Sequence, residues 1–451
     1  MAKAPQMILR ILRSSTQKVM SLTFIGMLSG ILMDVTIAGR FGATALGDTV
    51  IVALLLPQFL DTIIREGTKF SLIPLLVTNS KKLSVAENNR RLSALFNGAF
   101  LLGVVLLVLF ELVAGLVISR FAGPGLSAEN QESAAIMLRL MGAIFLLAPM
   151  IAILSAHLNS IKKFSFVALR NSFIPAAVLL GLFLFWAEPN LIYIIAASYS
   201  IGFIAYFLLL LIVSMRFGFA PKAIWMSKEE ITEVRQAVSW PTFGFVARQG
   251  GRLLEKSIAS LLAAGSVSAY FFAFRIFSAI QTVIGTSIAT TGLPDLSDAA
   301  EVSRVLRRKI IGQLKKVLLL VVPIIVVFLF FAHEIISLIY ERGNFDAEAV
   351  GITTRSIQYL LPGLVFFTMT PVLNSALYAL RAYRKVFYNM LFLSVVNVAL
   401  AWFLSQQMGV QGIALSVSIT AFLGNIVALI LLKTSGIHLL GGKSAGQQNK
   451  A

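Results

Sequence analysis

Apolar stretches of about twenty residues recur along this chain almost from end to end, and they leave it few ways to fold. A helix rising 1.5 Å per residue needs about 20 apolar residues to cross the ~30 Å hydrocarbon layer of a bilayer. Windows of that length or more lie at 16–38, 46–76, 92–119, 133–159, 165–186, 191–215, 238–264, 267–293, 310–332, 350–380, 386–405 and 410–433. A soluble core has no room for twelve such runs. Composition agrees: only 13% of the 451 residues are charged, against about 25% in soluble domains, and 58% are hydrophobic. A membrane strand needs only about 10 residues, so these lengths specify helices. The expected fold is all-α and polytopic, with about 12 transmembrane helices.

The formal net charge is +18, and its placement matters more than its size. One alternate set of loops holds Lys81, Lys82, Arg90, Arg91, Lys162, Lys163, Arg216, Lys222, Lys228, Arg235, Arg304, Arg307, Arg308, Lys309, Arg381, Arg384, Lys385 and Lys433, together with the N-terminal Lys3, Arg10, Arg13 and Lys18. The other set offers little beyond Arg40, Arg120 and Arg342. Cytoplasmic loops carry the excess of Lys and Arg, so both termini of this multi-pass protein are expected in the cytoplasm. The same asymmetry explains the basicity without a nucleic-acid partner. The run from Val19 to Ala38 is long enough to span and reads as a retained first helix rather than a leader.

No enzyme chemistry is legible. The chain has no cysteine, and His157, His333 and His438 match no metal-ligand spacing. No nucleophile elbow or metalloprotease helix occurs. No cofactor or metal is expected.

The chain repeats at an offset of about 220 residues. Ala53 and Pro74 correspond to Ala273 and Pro294, and Ser155-Ala156 before Lys162/Lys163 corresponds to Ser375-Ala376 before Arg381/Arg384. An even number of spans per half makes the repeats parallel, and substrate sites in such proteins lie near the midplane between halves. The expected organisation is an N-terminal six-helix lobe at 1–215, a cytoplasmic linker at 216–237, a C-terminal six-helix lobe at 238–434 and a disordered tail at 435–451, with the pseudo-symmetric lobes around a central cavity.

Charge inside the apolar windows marks the candidate site. Arg248, Arg252, Glu255 and Lys256 lie in the seventh window, where each central charge costs roughly 2.5–3.5 kcal/mol on insertion scales. At 100° per residue, 248, 252 and 256 climb one helix face with 255 beside them. Three cations against one carboxylate call for an anionic ligand, or for carboxylates from another helix in a salt-bridge lattice. The second window carries Asp48, Asp61, Arg65, Glu66 and Lys69, with Pro57 placed to kink the helix. Gln58, Asp61, Thr62, Arg65, Glu66 and Lys69 fall within roughly 140° of the wheel. The pattern fits a charged cavity wall, although Asp61 and Arg65, four apart, can also neutralise each other. Arg275 sits about nine residues past the turn at Ser266, too deep to snorkel easily. The candidate substrate-binding cations are Arg65, Arg248, Arg252, Lys256 and Arg275. The candidate charge-balancing or ion-coupling carboxylates are Asp48, Asp61, Glu66 and Glu255.

Several motifs together resemble one family. Ala259–Arg275 and Ile288–Ser297 resemble the segments that open the second half of the lipid II flippases, the MurJ (MviN) family. Phe41-Gly-Ala, Asp48, Leu56-Pro57, Glu66-Gly67 and Phe70-Ser71 look like its first-half signature, and Glu341–Glu348 like its late external loop. The resemblance covers roughly 20–434 and implies the multidrug/oligosaccharidyl-lipid/polysaccharide exporter fold. It further implies alternating access that carries an undecaprenyl-pyrophosphate-linked sugar between leaflets. Arg275 matches a functional arginine of the family, and Asp48 an aspartate of its second helix. Two first-helix arginines of the family fall on Met27 and Met33, and the paired arginines of its second helix on Asp61 and Thr62. The family usually has fourteen helices, and the twelve windows here are expected to correspond to all but its last two. Arg65, Arg248, Arg252 and Lys256 stand as replacements for the lost cations.

The expected function is a flippase for a polyprenyl-pyrophosphate-linked saccharide, lipid II or a related envelope precursor. The bilayer and envelope-polymer synthesis proteins are the further expected partners. Two alternatives stand beside it: a drug/cation antiporter of the same superfold, which needs carboxylates in an apolar pocket, and a non-transporting scaffold of a polysaccharide synthesis complex.

Overall fold

The computed structural model describes residues 15–289, 292, 296, 299, 302–380, 382–437 and 439. Among these, helices α1 (Ser15–Phe41), α2 (Ala45–Lys82), α3 (Val85–Val117), α4 (Ala128–Leu140), α5 (Gly142–Ser160), α6 (Phe164–Ala168), α7 (Arg170–Leu184), α8 (Leu191–Arg216) and α9 (Lys228–Ser260) are followed by α10 (Ser266–Gln281), α11 (Ser303–Tyr340), α12 (Ala347–Ala379), α13 (Tyr383–Met408) and α14 (Val410–Lys433). The protein is all-α; the β-pairing among the described residues is a single isolated bridge, Arg342 with Phe345.

Eleven segments among the described residues are long and apolar enough to cross a membrane. They fall on eleven of the twelve windows read from the sequence; the other, 238–264, falls on α9, which is 33 residues long but interrupted by charge. The window 133–159 resolves into two helices, α4 and α5, which meet at the non-helical Met141. The N-terminal basic residues Lys3, Arg10 and Arg13, and the tail from Gly441 onward, lie outside the described residues.

The chain forms two compact units, residues 1–40 with 45–249, and residues 41–44 with 250–451. In the first, α2 is buried all round from Val50 to Pro57 and then opens on one side from Gln58 to Thr68. Close approach needs small residues: a side chain at Gly103 of α3 would collide with the Leu146 carbonyl of α5, and one at Gly181 of α7 with Ser198 of α8. In the second unit, the short Phe41–Thr44 segment packs against α10's first turn. Gly265 precedes α10 at φ +88°, and a Cβ there would strike the Ala43 carbonyl. Gly42, at φ +65°, faces the Asn344 backbone in the same way. Three of the segments that carry the family resemblance therefore meet at one place.

The connector between α8 and α9 is strapped to α3. Asn89 donates to and accepts from the Ala220 backbone at 2.8 Å in both directions, and Asn97 donates to the carbonyls of Lys222 and Ile224, each at 2.8 Å. Residues 89, 93 and 97 recur every four positions, so one helix face follows the connector, with Ser93 donating to the Ala220 carbonyl at 3.2 Å. Phe219 is buried against Phe96, with ring centroids 5.5 Å apart. Ser227 and Glu230 then form a reciprocal capping box at the start of α9: Glu230 N donates to Ser227 Oγ (3.3 Å), and Ser227 N to Glu230 Oε2 (2.9 Å). Arg90 and Arg91 pair with Glu230 from α3, and Arg91 lies 3.6 Å from Glu233. An Asn89→Ala substitution removes both sides of the Ala220 bond. Hydrogen exchange at Ala220 and its neighbours in 217–224 is expected to accelerate by about ten-fold, with the membrane helices unchanged.

Candidate functional site

In the first unit, the open side of α2 carries the charges. Asp61 pairs with Arg170 of α7, and both side chains are largely buried, 13% and 12% exposed. Arg65 pairs with its neighbour Glu66 at 2.8 Å. The alternative of an Asp61–Arg65 pair within the helix is therefore corrected: Arg65 is 48% exposed, and the more deeply buried Arg170 takes Asp61 instead. A carboxylate out of water gains more from a cation in the same low-dielectric place than from one in solvent. The Phe203 ring of α8 lies 5.4 Å from the Arg170 guanidinium carbon and gives that cation a second seat. Asp48, in the first turn of α2, is buried at 3% exposure.

In the second unit the arrangement is different. Glu255 of α9 is buried, and neutral groups satisfy it: Tyr270 Oη donates to Oε2 at 2.8 Å, and Asn397 Nδ2 of α13 donates to Oε1. Asn397 Oδ1 in turn lies 3.2 Å from the hydroxyls of Ser416 and Thr420 on α14. This polar core ties α9, α10, α13 and α14 together. It also fixes the rotation of α9, and with it Arg252 and Lys256, three positions before Glu255 and one after it, which lie about 60° and 100° round the same side of the helix. Arg252 lies over Phe274 (5.7 Å) and Lys256 over Phe271 (5.0 Å), both rings on α10. Their charges act on Glu255 from close by. Arg275 is on the exposed side of α10, nine positions into the 266–289 span. An exposed charge at that depth cannot rest against lipid tails and must meet water. The side chain of Arg248 lies outside the described residues.

The structure thus brings Arg252, Glu255 and Lys256 together with α10, and Asp61 together with Arg170 of α7, while Arg65 and Glu66 pair within α2. Sequence reasoning missed Arg170, Tyr270 and Asn397. A charge six residues past Phe164, inside an apolar window, was the available signal for Arg170. Asn397 is an amide in a hydrophobic helix, and nothing local marks its partner. Among the described residues, no cluster of three or more His, Cys, Asp or Glu is placed to hold a metal ion.

Removing Asn397 should expose how much this core contributes. Asn397→Leu strips a donor from the buried Glu255 and an acceptor from two hydroxyls, and is expected to cost about 1–3 kcal/mol. The measurement is a lower melting temperature of the purified protein in detergent. Asn397→Asp places a second carboxylate there and is expected to destabilise further.

Comparison with known proteins bears on this geometry. A family model described as "Lipid II flippase MurJ" matches residues 37–445. A "probable lipid II flippase MurJ" of Thermotoga maritima is 25% identical over 418 residues, covering 92% of this chain and 84% of that protein. One of Rickettsia prowazekii is 24% identical over 406 residues, covering 89% and 80%. Among solved structures, a lipid II flippase MurJ in an inward closed conformation superposes with a TM-score of 0.81 at 24% identity, covering 92% of this chain and 87% of that one. An inward-facing multidrug resistance MATE family transporter of the MOP superfamily superposes at 0.77 with 13% identity, covering 94% and 98%, and is a likeness of fold alone.

Proposed function

The chain belongs to the lipid II flippase MurJ family, and from that premise we propose that it carries a polyprenyl-pyrophosphate-linked saccharide, lipid II or a related envelope precursor, across the bacterial inner membrane by alternating access. The observation that carries this reading is the balance of charge on α9 and α10. From Gly250 to Gln281 there are three cations, Arg252, Lys256 and Arg275, and one carboxylate, Glu255. Neutral donors already satisfy that carboxylate. The surplus suits a pyrophosphate, for which arginine offers a planar fork of charge-assisted bonds. The lipid tail would stay in the bilayer. A drug/cation antiporter of the same fold needs the opposite balance.

In this reading Arg65, Arg248, Arg252, Lys256 and Arg275 contact the pyrophosphate. Asp48, Asp61, Glu66 and Glu255 balance the cations in the empty state and are the groups through which an ion gradient or membrane potential would act. Met27, Met33, Asp61 and Thr62 stand where the family's other arginines fall, so the cation set is redistributed. Envelope-polymer synthesis proteins are the partners such a carrier would serve.

Arg252→Ala and Arg275→Ala are each expected to abolish flipping while the protein inserts normally. The assay is rescue of a strain depleted of its own flippase; retained rescue by both variants would sink the reading. Orientation is tested on the same chain, which has no cysteine of its own. With both termini cytoplasmic, Arg120→Cys should react with an impermeant maleimide in intact spheroplasts, and Lys222→Cys only after the membrane is opened.

A further inference from the structure

The Asp61–Arg170 pair has the form of an occupied anion site. Arg170 begins α7, just after the break at Leu169 that separates α7 from α6. Two residues of α8 hold it there. Phe203 underlies the guanidinium, and Tyr206 Oη donates to the Val167 carbonyl at 3.1 Å, satisfying one acceptor left over at the break. A guanidinium has five N–H donors. Here the ion pair with Asp61 runs from Nη2 to one carboxylate oxygen, Oδ2. Arg170 Nε is buried and has no hydrogen-bond acceptor among the described residues. The pair therefore leaves the fork incompletely filled, and a buried donor left without a partner is costly. A phosphate oxygen reaching Nε and a second oxygen reaching Nη would complete it.

We propose that Arg170 is the pyrophosphate-binding cation of the N-terminal unit, and that Asp61 is an internal anion occupying it until the substrate's phosphate displaces it. This rests on the flippase reading above. Charge balance supports it. The pairs Asp61–Arg170 and Glu66–Arg65 each sum to zero, so neither of these cations is in surplus until its carboxylate lets go. A pyrophosphate carries more charge than one carboxylate and can bind the fork through two oxygens. Asp61 and Arg170 each keep a small exposed fraction, 13% and 12%, so the pair is reachable from the open side of α2. Asp61 also stands where the family's second helix carries an arginine. The cation has moved to α7, and the old position now holds its competitor. Substrate selectivity follows: binding in this unit requires a ligand anionic enough to win Arg170 from Asp61.

The competing account is a fixed tie between α2 and α7, and binding measurements separate the two. Purified wild type, Arg170→Gln, Arg170→Lys, Asp61→Asn and the double variant Asp61→Asn/Arg170→Gln are titrated with undecaprenyl pyrophosphate, and with undecaprenol as the uncharged control, by native mass spectrometry. Expected are about ten-fold or greater weakening for Arg170→Gln, partial retention for Arg170→Lys, and tighter pyrophosphate binding for Asp61→Asn. The double variant keeps a neutral hydrogen-bonding pair, so it should fold even if Arg170→Gln does not, and should bind as weakly as that single variant. Undiminished binding in the double variant, or weakening in Asp61→Asn to match it, overturns the proposal in favour of the tie. A wild type that does not prefer undecaprenyl pyrophosphate over undecaprenol overturns the flippase reading, and this inference with it.

Discussion

A charge held in hydrocarbon must have a partner, and nearly every feature of this structure follows from how its partners are supplied. A lone ion at the bilayer centre costs several kcal/mol. Arg170 meets Asp61 and the Phe203 ring; Glu255 meets Tyr270 and Asn397; Arg252 and Lys256 lie over phenylalanine rings. The aromatic seats matter because they hold a cation without neutralising it.

The two units answer the same constraint in opposite ways. In the first, Asp61 and Glu66 of α2 each pair with a cation, Arg170 and Arg65. The second satisfies its one carboxylate on α9 with a phenol and an amide and keeps its cations in surplus. Neutral donors thus satisfy the Glu255 oxygens, while Arg252 and Lys256 stay close by over aromatic rings.

The α8–α9 connector shows the same economy outside the membrane. The connector forms neither helix nor strand, so apart from the burial of Phe219 its backbone groups need partners of another kind. Asn89, Ser93 and Asn97 supply them from one face of α3, and the capping box at Ser227 starts α9 where Arg90 and Arg91 grip it. The beginning of the helix that bears Glu255 is therefore held by charge and hydrogen bonds, while its far half is held by the Asn397 core.

What the sequence by itself determined was whatever depends on local composition. Helix number and length follow from apolar windows because hydrocarbon thickness is a fixed ruler, and the family follows from motifs in short segments such as Ala259–Arg275. The spacing of Arg252, Glu255, Lys256 and Arg275 along their helices was legible too, since position within a helix converts to distance at 1.5 Å per residue. Only the tertiary structure decided the partners. Asp61 has a cation one turn away in Arg65, yet it pairs with Arg170, and Glu255 finds Asn397 across 142 residues of chain. Sequence spacing lists the pairs that can form, but burial ranks them. Coulomb attraction strengthens and desolvation cost rises together out of water, so the pair that wins is the one that packing places in the same dry position.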